Sequence, residues 1–174
     1  MSIPVRLAAS VFLAFLLTLP AGASTPVAVL DFQLNDLTSN PGVPEELERT
    51  ASLRPLLEKS LAAKGVYRMI DVDRAAQTAA SPAMGYLWDY PDEAAALGKS
   101  NEARYVLVGR LTKPSFLFAY LEARLIDANA GKAIGQFYVE VKGQQARFTP
   151  RGIDRLAEQI DAALRALEGA ANRP

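Results

Sequence analysis

The chain has 174 residues, 50% of them hydrophobic, with 19 basic and 19 acidic side chains and neither Cys nor His. That length suggests one domain, and balanced charge without a Lys/Arg cluster argues against a nucleic-acid or anionic-membrane surface, which needs clustered cations for counterion release. Lacking imidazole and thiol, the chain cannot build a Ser-His-Asp triad, a thiolate nucleophile, the usual zinc sites or His-ligated haem, so much ordinary catalysis is excluded.

Residues 1–23 read as a secretory signal. Arg6 is the short positive region, Leu7 to Leu19 the apolar core, and Ala21-Gly-Ala23 a small-x-small cleavage signal before Ser24. The apolar run is short for a permanent span and is closed by Pro20. A cleaved signal is expected, with an uncleaved anchor as the alternative. No Cys lies near the cleavage point, so a lipid anchor is not expected. The mature chain, residues 24–174, is expected to be a single periplasmic domain.

That domain opens with a β-rich run, Pro26 to Phe32, expected as a core strand ending near Asp31. Residues 33–44 carry several breakers and read as a polar loop. A helix follows, reaching Lys64 and stopped by Gly65. Its core face is Leu53, Leu56, Leu57 and Leu61, and Pro55 implies either a kink or a fresh start. A second strand is expected over Val66–Val72, and Asp73 is placed to cap a short helix, Arg74 to Ala80.

The segment Ser81–Pro91 reads as a loop holding Met84, Tyr86, the single Trp88 and Tyr90 between two prolines. It suits either a partner-binding lip or a plug of rings at the core edge. A short helix, Asp92 to Leu97, closed by Gly98, leads into Tyr105-Val-Leu-Val108. This run is apolar on both faces, as in a central strand.

From Leu117 to Leu125 the odd positions are apolar while the even ones include Tyr120, Glu122 and Arg124. The run to Val141 repeats the device, with Phe137, Val139 and Val141 opposite Gln136, Tyr138, Glu140 and Lys142. Asp127-Ala-Asn-Ala-Gly131 reverses the chain between them, with Gly131 the left-handed position. Bringing both odd faces to one side requires an odd loop or a compensating bulge. Finally, Thr149 and Pro150 start a helix with Ile153, Leu156, Ile160, Leu164 and Leu167 on one stripe, ending at Gly169. An outer Asp161–Arg165 pair is expected. The predicted architecture is an α/β (α+β) sandwich, a mixed sheet of about five strands ending in an antiparallel meander, with helices packed on it.

Four stretches carry a resemblance: Val27-Ala-Val-Leu-Asp-Phe32; Gly65 to Asp71 with Asp73-Arg74; Ala96-Leu-Gly98 leading into Ala103 to Gly109; and Leu125 to Lys132. Together they resemble the module shared by curli-secretion-channel (CsgG-like) proteins, the penicillin-binding-protein activator LpoB and the TolB amino-terminal domain. More closely, they are similar to a family of small predicted secreted proteins of unassigned function. The resemblance implies an envelope-facing binding or assembly module rather than a catalyst. It departs from the pattern in having no lipobox Cys and no following β-propeller.

Candidate chemistry is thin. Asp31 and Asp71 end predicted strands, where open α/β sheets place ligand crevices. Paired carboxylates there suit a hard cation such as Ca²⁺ or a shared proton, the alternative being that each caps the next element. Asp89, Asp92 and Glu93 form another acidic group, of which Asp92 and Glu93 suit a helix first turn. Gly131-Lys132 lacks the rest of a phosphate loop. No metal set and no cofactor is implied. Tyr86, Trp88, Tyr90, Tyr120, Glu122, Arg124 and Tyr138 are the candidate partner-binding residues, the even hairpin face suiting either a protein contact or solvent. The expected function is a non-catalytic periplasmic accessory protein docking on an envelope complex or on a second copy of itself. The alternative is a small-ligand or metal module centred on Asp31 and Asp71.

Overall fold

The computed structural model describes residues 24–142 and 149–171. The signal read in residues 1–23 therefore lies outside the described residues. Twelve elements follow in order: β1 (Thr25–Val29), β2 (Gln33–Asp36), α1 (Pro44–Ala51), α2 (Leu53–Ala62), β3 (Tyr67–Ile70), α3 (Arg74–Ala80), α4 (Tyr86–Asp89), α5 (Pro91–Ser100), β4 (Tyr105–Lys113), β5 (Phe118–Asp127), β6 (Lys132–Lys142) and α6 (Thr149–Ala171).

They build one mixed sheet in the order β3-β1-β4-β5-β6, parallel through β4 and antiparallel beyond it, with helices on both faces. The expected α+β sandwich is what forms, with one strand more than expected. Residues 33–36, read as loop, are β2, which pairs with β4 just beyond β1. Val29 pairs with Leu107 and Gln33 with Arg110, so Leu30, Asp31 and Phe32 oppose only Val108 and Gly109. β1 and β2 are thus one strand interrupted by a one-residue bulge, which a period-two reading of side chains cannot register.

Two cores flank the sheet. On one face Val27, Val29, Leu107, Leu121 and Leu125 meet Leu53, Leu57 and Leu61 of α2 and Ile153, Leu156, Ile160 and Leu164 of α6. On the other, Ala28, Leu30, Val106, Val108 and Ile126 meet Leu87, Trp88, Ala94 and Leu97 from α4 and α5. Each buried aliphatic side chain contributes about 1.5–3 kcal/mol by leaving water.

The helix breaks follow from local chemistry. The helix expected through Lys64 is two helices parted at Ser52, because Pro55 has no N–H and crowds the carbonyl of Ala51. Asp73 caps α3 as expected, accepting from the N–H groups of Ala75 and Ala76. Gly98 does not close its helix: α5 runs on to Ser100, and a Cβ on Gly98 would stand 2.1 Å from Val106 Cγ2, so that glycine serves close helix–sheet packing. α6 likewise passes through Gly169.

The hairpin obeys the parity argument. Leu121 pairs with Val139 and Ala123 with Phe137, but Ile126 pairs with Ala133 after a bulge, which reconciles a four-residue turn with one shared apolar face. Gly131 takes φ 66°, as expected. Leu117 lies before β5 and is exposed, so the apolar face begins at Ala119.

Candidate functional site

The even-numbered face of β4–β5–β6 is apolar and helix-covered at one end, where Val106, Val108 and Ile126 sit. Beyond Val108 the residues on that face become Arg110 and Thr112 on β4, Tyr120, Glu122 and Arg124 on β5, and Gln136, Tyr138 and Glu140 on β6. Register sets Arg110, Glu122 and Tyr138 in one row and Thr112, Tyr120 and Glu140 in the next.

Trp88 marks the boundary. It is 3% exposed, at the edge of the second core. The Arg110 and Arg124 guanidinium carbons stand 4.0 and 4.5 Å from its ring centroid. Such stacking contributes about 0.5–2 kcal/mol per cation. Arg124 Nη1 donates to the Trp88 carbonyl at 2.6 Å, and Arg110 Nε and Nη2 donate to Glu122 Oε2 at 3.2 and 3.0 Å. The result is a fixed layer of charged side chains on one indole.

This layer corrects two expectations. The segment 81–91 is not a plain loop, because Tyr86–Asp89 form the turn α4 that carries Trp88 inward. Glu122 is not on a wet surface either: it is 5% exposed, covered through its pair with Arg110. The structure brings Trp88, Tyr120, Glu122, Arg124 and Tyr138 together on one patch, with Tyr120 half-buried and Tyr138 54% exposed. Tyr90 is exposed and its ring stacks on Tyr86, centroids 4.6 Å apart. Partial burial and then the negative Glu93 push the Tyr86 hydroxyl above its ordinary pKa.

Asp31 and Asp71 also come together, but around Arg54. Its Nη1 lies 3.4 Å from Asp31 Oδ1, its Nη2 2.5 Å from Asp71 Oδ1 and its Nε 2.9 Å from Glu58 Oε1, while Arg74 Nε holds the other Asp31 oxygen at 2.9 Å. Burial works against the charged Arg54, yet the hydrogen bond and charge of Glu58 and then Asp31 raise its pKa. A guanidinium thus stands where a hard cation would sit. Among the described residues no group of three or more His, Cys, Asp or Glu is arranged to hold a metal. Asp31 is in addition the bulge residue, its N–H donating to Gln77 Oε1 at 2.8 Å.

A second charged cluster left almost no signal in the sequence. Lys113 Nζ, at the end of β4, lies 3.0 Å from Glu46 Oε1 and 4.0 Å from Asp36 Oδ2, all three side chains nearly solvent-free. Arg49 joins Glu46 at 3.3 Å and donates to Thr149 Oγ1 at 3.0 Å, tying α1 and β4 to the start of α6. Burial pushes the Asp36 carboxyl up, but bonds from the Thr38 hydroxyl, the Thr38 and Gly42 N–H groups and the charge of Lys113 hold it below its ordinary value. Only the Glu46–Arg49 i,i+3 spacing was readable beforehand. The Asp161–Arg165 pair forms as expected, Nε to Oδ1 2.9 Å, and Asp161 also accepts from the Tyr67 hydroxyl at 2.6 Å.

Among the described residues no helix is long and apolar enough to cross a membrane. The sequence profile of a family named DUF3280 and described as "Protein of unknown function (DUF2380)" matches residues 25–160. No curated protein matches the chain. Of solved structures, LpoB from E. coli is similar at 18% identity and TM-score 0.50, over 71% of this chain and 59% of that one, so this chain spans about three fifths of LpoB. The hypothetical protein CT253 from Chlamydia trachomatis is similar at 17% identity and TM-score 0.50, over 82% and 96%. TolB from Acinetobacter baumannii is similar at 16% and 0.46, over 83% and 30%. At these identities the likeness to LpoB and CT253 is one of fold.

Proposed function

We propose, for a chain that belongs to the DUF3280 family of proteins of unknown function, a non-catalytic role in the bacterial envelope. The protein is an exported periplasmic accessory that docks on a larger protein complex through the uncovered end of its sheet. The observation that carries this reading is the patch built on Trp88: Arg110 and Arg124 stacked over one indole, Glu122 neutralising Arg110, and Tyr120 and Tyr138 beside them. Aromatic and Arg side chains held in place cost little ordering entropy on binding, which is what a docking surface needs. The one carboxylate of the patch, Glu122, is buried in its pair with Arg110, and the chain owns no His or Cys to act as nucleophile or general base there.

Export is supported by the composition of residues 1–23, and the envelope setting by the resemblance to the CsgG-like, LpoB and TolB modules. The small-ligand reading of Asp31 and Asp71 is the weaker one, because Arg54 already satisfies both carboxylates.

The test is the size of the native complex. Tyr120→Ala with Tyr138→Ala is expected to release the protein from a high-mass species to its monomer mass on a native sizing column of gently solubilised envelope, with circular dichroism unchanged. A wild-type protein that already runs as a free monomer in that extract, or a variant that stays in the complex, would overturn the proposal.

A further inference from the structure

β6 is an edge strand, paired with β5 on one side and with no strand on the other among the described residues. An edge of eleven residues offers a row of backbone donors and acceptors, and folds that leave such an edge bare either blunt it or use it. Beside this edge runs a groove of about 520 Å³, floored by Tyr138–Lys142 and walled by Arg151, Arg155 and Gln159 of α6.

Three features of the groove specify an occupant. Gln159 Nε2 donates to the Tyr138 carbonyl at 3.3 Å, a side chain lending a weak bond to a backbone oxygen of the edge strand. Arg151 and Arg155 are both exposed, and among the described residues no carboxylate lies within ion-pair distance of either. The floor adds one cation, Lys142, and one anion, Glu140, and both alternate onto the opposite face of the sheet from α6. The α6 side is therefore purely basic.

Spacing completes the argument. Arg151 and Arg155 are one helical turn apart, about 6 Å along the axis at about 1.5 Å per residue. Alternate residues of a strand are about 6.7 Å apart on one face. A strand laid along β6 beneath α6 would bring side chains i and i+2 opposite the two guanidinium groups.

We propose that β6 takes an added strand: an extended segment of a partner protein with carboxylates at alternate positions, its backbone pairing with the edge and its acidic side chains meeting Arg151 and Arg155. This rests on the docking reading above and specifies part of the partner. The sheet is extended from its antiparallel edge, and the same strand leaves the Trp88 patch free for a second contact.

The experiment uses the purified protein and fluorescein-labelled eight-residue peptides, read by anisotropy at low ionic strength. Alternating Glu and Thr is expected to bind. The Lys-for-Glu peptide, a peptide of the same composition with its Glu residues grouped together, and an alternating peptide N-methylated at every second residue should each bind at least tenfold more weakly. Arg151→Glu with Arg155→Glu should abolish binding of the alternating peptide, and amide shifts should map to residues 138–142. Equal binding of the N-methylated peptide would reduce the site to an ionic patch and overturn the proposal, as would no binding of the alternating peptide. Protection of amides 138–142 in a peptide-free dimer would give the edge to a second copy and overturn it too. If the strand fails while Tyr120→Ala with Tyr138→Ala still releases the protein from its complex, the docking reading stands alone.

Discussion

One face of the central sheet carries two regions that share a strand and differ in everything above it. At the start of β4, Val106 and Val108 lie under α5 with almost no exposure, while two and four residues on, Arg110 and Thr112 are half-buried on the same face, with Trp88 of α4 against Arg110. Trp88 stands at the join. The covered end holds its place through area removed from water, and the open end through paired charge laid on an indole. The lesson is that the open end is ordered without being filled, which suits a surface meant to be covered by something else.

The largest effects are expected on the covered side. Lys113→Ala removes the cation from between Glu46 and Asp36, leaving Glu46 with Arg49 alone and Asp36 with only the neutral donors of Thr38 and Gly42, at about 3–5 kcal/mol. Chemical denaturation should show this loss, with part of it recovered when Glu46→Gln is added. Leu107→Ala, in the fully buried middle of β4, should cost about 2–5 kcal/mol by the same assay. Gly98→Ala forces a Cβ onto Val106 and should cost about 1–3 kcal/mol, relieved by Val106→Ala. On the open side, Tyr138→Ala should move stability by less than about 0.5 kcal/mol, and a larger change would make that ring part of the core.

Acid stability sharpens the contrast. At Asp161 burial raises the carboxyl, but the Tyr67 hydroxyl and Arg165 outweigh it and hold the pKa below the ordinary value, as happens at Asp36. A carboxylate depressed in the folded state stabilises fully above its unfolded pKa of about 4 and loses that contribution as pH falls through the folded value. The melting temperature is therefore expected to stay level from pH 8 to 5, there being no His to titrate, and to fall below about pH 4. Asp161→Asn should flatten that fall.

Much of this division was legible in advance, and the reason is period. Tyr105–Val108 has no polar side because both faces are covered, whereas Ala119–Leu125 alternates because only one is. Parity likewise required an odd loop or a bulge, and a bulge lies between Leu125 and Ile126. What stayed hidden were partners set by register and distance. Glu122 looked solvated because Arg110 lies twelve residues upstream, and β2 looked like a loop because an extra residue at Asp31 shifts its phase. Asp31 and Asp71 were both read at strand ends, but the arginine that each of them contacts comes from α2, whose helical spacing announces only its leucines. Trp88 belongs to no repeating pattern, so nothing in the chain could assign it to core or surface.

The central claim is that the open end of the sheet is a contact surface in the living cell. A photo-cross-linking amino acid placed in turn at Tyr120, Gln136 and Tyr138, with Glu158 on the outer side of α6 as control, tests it most directly. The account predicts one adduct of constant mass from the three sheet positions and none from Glu158. No adduct from the sheet, or the same adducts from all four positions, would contradict it.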